Sequence, residues 1–409
     1  MAIISSILFI VLTITAFGLF GKKVATIRRN ILLGKAFDYE KDTSRRIKQV
    51  LLLAFGQKKM FRNPLVALLH LIVYVGFVII NIELLEIIVD GITGAHRSFE
   101  NLLGTCYPFL INGFEILALL VLIACVIFLI RRNVIKLKRF VSNDLNGWPR
   151  SDANYILITE IVLMSLFLIM NAADVEAHFV VSQYLKPLLN GLTPSTLILM
   201  EQCAWWLHII GIYFFLNYLP YSKHLHILLA FPNAYFAEPT QKGTMHNMKS
   251  IQNEVLYAMQ PELAPTDAVT PDKFGAKDVM DLSWKNLLDA YSCTECGRCS
   301  TACPANSTGK LLSPRKIMMS TRDRIEAVGQ NIDKNKQSAD SALSDHDVRI
   351  IKNKTDITSL LYALIITTKG ALHTSIMNNQ DSYKSWQKIF KTVLRYSSIY
   401  QPAIQQKLF

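Results

Sequence analysis

Long apolar segments follow one another along the first half of the chain, and the loops between them are alternately rich and poor in Lys and Arg. Five segments are apolar over enough residues to span a bilayer of about 30 Å. They cover 2–20, 65–89, 109–130, 154–173 and 196–219. The second segment contains Asn81, Glu83 and Glu86, so its outer end is polar, and the fourth contains Glu160. The pattern predicts a bundle of transmembrane helices.

Loop charge predicts the orientation of this bundle. The segments 21–63 and 131–153 are rich in Lys and Arg. The other two loops contain one such residue each, Arg97 and Lys186. Because positive charge stays on the cytoplasmic side of a membrane, we predict a multi-pass inner-membrane protein whose N-terminus lies outside. The chain after about residue 220 is then cytoplasmic. The first segment is expected to be a span, since no basic region precedes it and no small-residue cleavage site follows.

The composition averages two unlike halves. The hydrophobic fraction is 51% and the mean hydropathy is +0.28, but nearly all long apolar runs lie before residue 237. A net charge of +12 is compatible with nucleic-acid binding in principle, yet the excess lies in loops beside apolar spans, so nucleic acid is not an expected partner. We predict an all-α protein. Its parts are a five-span bundle over 1–236, a proline-broken linker over 237–285, a ferredoxin-type domain over 286–330 and a polar tail over 331–409.

Four clustered cysteines indicate the chemistry of the second half. Cys293, Cys296, Cys299 and Cys303 precede Pro304 with the spacing C-x2-C-x2-C-x3-C-P, which binds a [4Fe–4S] cluster. Gly297 is expected to let the backbone approach the sulfides. A zinc site usually separates its ligands into two pairs, and cytoplasmic disulfides are rare. The remaining cysteines are expected to be small buried hydrophobic residues: Cys106, Cys125 and Cys203.

The sequence contains no cysteine after Cys303. In two-cluster domains the fourth cysteine of this motif binds the other cluster, whose own motif is absent here. We therefore expect the first three thiolates to hold the cluster. The fourth position is left open between Cys303 itself, a partner subunit, a ligand other than cysteine and a three-iron cluster.

Histidines in or near the apolar spans are candidate haem ligands, because haem b in a helical bundle takes imidazoles from facing helices. His70 lies in the second span, His208 in the fifth, and His224 and His226 shortly after it. If they lay on one continuous helix, His208 and His226 would be on the same face, separated by about 27 Å along the helix axis. Pro220 interrupts this run.

The second span provides only one of the two histidines that a pair of haems would need from it. We therefore favour one inner haem, held by His70 and either His226 or His224. A structural role for these histidines is the alternative. His96 and His178 are expected at the outer surface, and Glu160 is expected to transfer protons, to face a quinone or to be a buried hydrogen-bonding group.

The spans and the cysteine motif together resemble those of known families. The five spans with histidines on the second and fifth resemble the gamma subunit of respiratory nitrate reductase, and the cysteine domain resembles the iron–sulfur subunit of heterodisulfide reductases. Besides the cluster motif, three segments show the resemblance: Leu69-His70, Lys223–His226 and Ser313–Lys316. It implies haem b, [4Fe–4S] clusters, quinone and a separate redox subunit, often one with CCG domains.

The function expected from these observations is electron transfer at the membrane. The chain would be an electron-transfer subunit of an oxidoreductase complex, passing electrons between a cytoplasmic redox partner and quinone through one cluster and haem b. The alternative is a membrane anchor or assembly subunit with a structural or degenerate cluster. The sequence identifies neither the donor nor the direction of electron flow.

Overall fold

The computed structural model describes residues 2–39, 41–174, 179–238, 249–265, 276, 278–309 and 312–335. Over these ranges the chain forms helices and turns without a β-strand, apart from an isolated bridge between Lys35 and Ser283. The prediction of a helical protein is confirmed for this part of the chain. The sequence pattern also predicts helices over 357–372 and 384–396, and both segments lie outside the described residues.

Seven α-helices lie in the first half of the described chain. They are α1 (Ala2–Ile31), α2 (Thr43–Val50), α3 (Pro64–Thr93), α4 (Ser98–Leu103), α5 (Tyr107–Asn133), α6 (Trp148–Ala173) and α7 (Pro194–Tyr218). Five of them, α1, α3, α5, α6 and α7, are long and apolar enough to cross a membrane. They coincide with the five predicted segments, and α1 continues well past its predicted end.

Small residues allow the long helices to pack closely. A Cβ atom on Gly76 of α3 would lie 2.4 Å from a methyl carbon of Val121 on α5. A Cβ atom on Gly211 of α7 would lie 2.7 Å from a methyl carbon of Leu163 on α6. Close approach of this kind favours helix association in lipid, where burial of apolar surface provides little driving force.

Shorter helices build the second half of the described chain. They are α8 (His226–Tyr235), α9 (Lys249–Met259), α10 (Trp284–Tyr291), α11 (Arg298–Ala302), α12 (Pro304–Ser307) and α13 (Pro314–Asn335). The sequence over 281–290 predicts a short helix before the cysteines, and α10 confirms this prediction. It begins after Ser283, whose side chain accepts a hydrogen bond from the backbone N–H of Asn286, as an N-cap residue does.

The last turns of α1 attach this second half to the bundle. Ile27 and Ile31 are buried in one apolar cluster with residues of α10 and α13. Asn30 donates to the hydroxyl of Tyr291 at 3.1 Å, and Lys23 forms an ion pair with Glu326 at 3.0 Å. Helix α1 is thus shared by both halves, and it places α10 to α13 at the end of the bundle where α3 begins.

Candidate metal centre

The four cysteines lie in the short segment between α10 and α12, here called the cysteine loop, which includes the short helix α11 with Cys299. Cys293 and Cys296 are partly buried, Cys299 is exposed and Cys303 is buried. The backbone turns sharply here because Glu295 and Gly297 have left-handed φ angles of 54° and 73°. Glu295 is unusual in this respect, because the left-handed conformation is unfavourable for residues other than glycine.

Glycine is needed at position 297 for a second reason besides the φ angle, which is the space beside it. A Cβ atom on it would lie 2.8 Å from Nη1 of Arg315. The sequence suggested that this glycine lets the backbone approach the sulfides. In the structure it also leaves room for a buried guanidinium behind the loop.

Arginine side chains surround the cysteine loop and favour negative charge in it. The Nε–H of Arg298 donates to Sγ of Cys296 at 3.2 Å. Burial opposes ionisation of Cys296, but the hydrogen bonds from Arg298 outweigh it and lower the pKa of this thiol. Burial raises the pKa of Cys293 to about 11 and also raises that of Cys299. Iron would therefore bind with loss of protons from these thiols, since thiolates are the ligands.

Glu295 connects the cysteine loop to the turn that precedes His226. Its two carboxylate oxygens accept from Nζ of Lys223 at 2.7 Å and from Nη2 of Arg322 at 2.8 Å. Burial opposes ionisation of Glu295, but the charge and hydrogen bond of Lys223 and then those of Arg322 outweigh it and lower its pKa. The backbone N–H of Lys223 also donates to Asp152 of α6 at 3.1 Å, so this ion pair joins the loop to the bundle.

A second ion pair joins the cysteine domain to the loop between α5 and α6. Arg315, only 2% exposed, donates to Asp144 at 2.9 Å, to the carbonyl of Arg139 at 2.8 Å and to the hydroxyl of Ser142. Burial of Asp144 raises its pKa, but the hydrogen bonds from Ser142, Ser313 and Arg315 prevail, and the pKa is about 2. The buried arginine thus has its charge balanced by a residue of the bundle.

Replacing Asp144 with asparagine is expected to loosen this junction at neutral pH, because Arg315 would keep a buried charge without its counterion. The pKa of Asp144 is depressed from 3.8 to about 2, so its stabilising effect is full above about pH 4 and is lost as the pH falls toward 2. After discounting for solvent screening, the contribution of the ionised Asp144 to the free energy of unfolding is about 1 kcal/mol. Hydrogen exchange of the 139–145 and 296–302 amides measures it.

The Asp144→Asn variant should therefore exchange faster than the unmodified chain at pH 7, and the two should become alike near pH 2. Asp323→Asn is the matched control, because its side chain is 65% exposed and its nearest arginine nitrogen is 3.8 Å away. Equal exchange in the Asp144 variant and the unmodified chain at pH 7 would contradict a role for this ion pair.

Three histidines meet at the end of the bundle that adjoins the cysteine loop. His70 and His226 interact electrostatically, and so do His70 and Arg298. The ring of His224 stacks on that of His226, with centroids 5.6 Å apart. Burial, and then the proximity of His226 and His70, lowers the pKa of His224 to about 3. Since Arg298 also donates to Cys296, the cysteine loop and the histidines are neighbours.

Two of these histidines have one ring nitrogen already occupied. Nδ1 of His70 lies 3.0 Å from the side-chain oxygen of Gln57, and Nδ1 of His226 lies 3.0 Å from the carbonyl of Lys223. If Nδ1 is the protonated nitrogen, as these acceptors favour, Nε2 is left as an acceptor for metal. His224 instead packs its ring against Phe215 and His226. This difference favours His226 over His224 as the partner of His70.

His208 does not lie on one helix with His226. Helix α7 ends at Tyr218, two short 3₁₀ turns follow, and α8 begins at His226. The arrangement of His208 and His226 on one face of a continuous helix is therefore wrong, because Pro220 and the turns around it interrupt the helix. His208 is 3% exposed within the bundle, with Nδ1 at 3.0 Å from the carbonyl of Leu163.

The remaining histidines and cysteines differ in their exposure. His96 is exposed, as expected, while His178 lies outside the described residues. Of the scattered cysteines only Cys125 is buried, and the expectation that Cys106 and Cys203 are buried is wrong. Sequence reasoning missed the ion pairs of Glu295 and Arg315, and the only available signal was the position of these residues beside the cysteines and in the Ser313–Lys316 segment.

Comparison with known proteins found relatives by sequence, although no family model matches the chain and no solved structure matches it. The chain is 27% identical over 80% of its length to the "Probable iron-sulfur-binding oxidoreductase FadF" of Bacillus subtilis. It is 25% identical over 69% of its length to the "EtfAB:quinone oxidoreductase" of Syntrophomonas wolfei. A shorter match, 38% identical over 52 residues, is to a "Probable membrane-anchored ferredoxin" of Chromohalobacter salexigens.

These relatives support an iron–sulfur oxidoreductase family. They agree with an electron-transfer role and with an iron–sulfur cluster, and the apolar helices agree with a membrane protein. The chain spans 44%, 38% and 8% of the lengths of the three relatives, which is less than half of each.

Proposed function

We propose that the chain is a membrane-bound electron-transfer subunit of a heterodisulfide reductase-like oxidoreductase. It passes electrons between a redox partner on the cysteine-domain side and membrane quinone. Cys293, Cys296 and Cys299 hold a [4Fe–4S] cluster, and His70 with His226 holds one haem b. The observation on which this rests is the contact of Arg298 with Cys296 beside His70, which makes the two candidate cofactor sites neighbours.

The cysteine loop suits an iron–sulfur cluster by its donors and by its surroundings. Its thiols are concentrated in one short turn, and the charges of Arg298 and Arg322 interact with Cys296 and Cys293. A cluster bound there would supply one-electron transfer, with a potential set by nearby charge, hydrogen bonds and burial. The contribution of the chain is to favour thiolates and to hold the loop against the bundle through Glu295 and Arg315.

The histidines suit haem b by their hydrogen bonds. Gln57 and the carbonyl of Lys223 hold the Nδ1 atoms of His70 and His226, and such partners orient imidazoles that ligate metal. Lys223 also binds Glu295 of the cysteine loop. One residue therefore positions a candidate haem ligand and the loop of the candidate cluster.

Loop charge and the family resemblance indicate the orientation of the bundle and the kind of redox partner. The basic loops support an orientation in which the bundle lies in the inner membrane and the cysteine domain lies in the cytoplasm. The redox partner there is a separate subunit of the CCG-domain kind that the resemblance implies. Quinone is the proposed membrane carrier, in agreement with the name of the Syntrophomonas relative.

Anaerobic purification followed by cofactor analysis tests the proposal. We expect about four non-haem irons and as many sulfides per chain, one haem with a visible band, and a paramagnetic signal on reduction. A chain that inserts in the membrane with iron but without haem or a reducible signal would instead be an anchor with a structural cluster. Absence of both iron and haem would contradict the proposal.

A further inference from the structure

Helices α3, α5, α6 and α7 surround a cavity of about 80 Å³ that is partly open to the bundle surface. Most of its wall is apolar, including Phe77, Leu84 and Met164. Polar side chains line the remainder, and they are Asn81, Glu83, Glu160 and His208. An apolar wall with a few polar groups is typical of sites for small organic ligands.

Glu83 is the most unusual of these polar groups. It is 4% exposed, and its Oε2 atom is buried without a hydrogen-bond partner among the described residues. Leaving such an atom unpaired in the folded protein is unfavourable, so a ligand that supplies the missing hydrogen bond would stabilise the site. His208 lines the same cavity, and its Nδ1 contact with Leu163 leaves Nε2 as the other hydrogen-bonding atom of its ring.

We propose that this cavity binds the polar edge of a quinone ring, and that Glu83 hydrogen-bonds a ring oxygen and exchanges protons with it. The inference rests on the proposed function, whose one-electron carriers supply or accept the electrons. Reduction of a quinone takes up electrons together with an equal number of protons, which bond to the ring oxygens, and oxidation of the quinol releases both. The partial opening of the cavity lets the rest of the ring and its apolar tail lie outside it.

A chain of polar groups leads from Glu83 to the end of the bundle opposite the cysteine domain. Glu86 lies one helical turn further along α3 and accepts from the hydroxyl of Tyr107 at 3.2 Å. That hydroxyl accepts from Arg97 at 3.3 Å, and Arg97 forms an ion pair with Asp174 at 2.8 Å. The charges of Arg97 and Glu86 act on Glu83. The Glu83 carboxyl therefore exchanges its protons with that end of the bundle.

Binding of a fluorescent hydroxyquinoline analogue of the quinone ring to the full chain in detergent tests the site. The unmodified chain should bind it saturably, with quenching. Glu83→Met removes the carboxyl without leaving a void and should weaken binding at least about tenfold, because one buried hydrogen bond is lost. Ile212→Phe, a change in the cavity wall, should prevent binding by occupying the space. Glu100→Met, on exposed α4, is the control and should bind like the unmodified chain.

Iron and haem are counted in the same samples, so that the two proposals can fail separately. A chain that contains both cofactors but does not bind the analogue would overturn the quinone site alone. Analogue binding that depends on Glu83 in a chain without iron or haem would support the site and contradict the electron-transfer function. Unchanged affinity in both the Glu83→Met and the Ile212→Phe variants would also overturn the site.

Discussion

Replacing Cys293, Cys296 or Cys299 with serine is expected to remove most of the bound iron. A serine hydroxyl is a much weaker ligand for iron than a thiolate at neutral pH, and the three residues share one short loop. Cys303→Ser should cost much less, because the second cluster that this position serves in two-cluster domains has no motif in this chain. Iron and sulfide per purified chain are the measurements.

Cys106→Ser and Cys203→Ser are the matched controls for this series. Both cysteines are exposed and lie outside the cysteine loop, so both variants should retain the full iron content. If all four loop variants lose iron equally, Cys303 ligates the local cluster, and the three-thiolate site is wrong. Circular dichroism of each variant separates loss of iron from loss of fold.

Replacing His70 with alanine is expected to abolish the visible haem band while the protein still inserts in the membrane. An axial imidazole is lost, whereas the α3 helix keeps its apolar contacts. His226→Ala should have the same effect, because its Nδ1 is held by the carbonyl of Lys223. His224→Ala should retain haem, since the ring of His224 packs against Phe215 instead. Absorbance spectra of reduced membranes distinguish these outcomes.

His96→Ala is the control for the histidine series, because His96 is exposed and bound to Glu201 at 3.2 Å rather than placed beside His70. It should leave the spectrum unchanged. Retention of haem by the His226 variant, together with its loss from the His224 variant, would show that His224 is the partner of His70. A full haem band in the His70 variant would contradict this haem site altogether.

The sequence by itself determined the five long helices and the position of the cysteine loop. Apolar runs of bilayer length lead to helices wherever they occur, because an unpaired backbone is too costly in lipid. The cysteine spacing is equally local, since ligand chemistry depends on a short stretch of chain. Helix α10 could be predicted for a similar reason, as Ser283 caps it from the preceding residue.

Only the tertiary structure decided which distant residues meet. Pro220 signalled an interruption, but the two 3₁₀ turns that bring His224 and His226 beside His70 depend on packing against the rest of the bundle. Likewise, the Glu295–Lys223 ion pair joins residues 72 positions apart, and no periodicity indicates such a contact. Long-range ion pairs form where buried charges need a counterion, and that need arises only after the chain has folded around them.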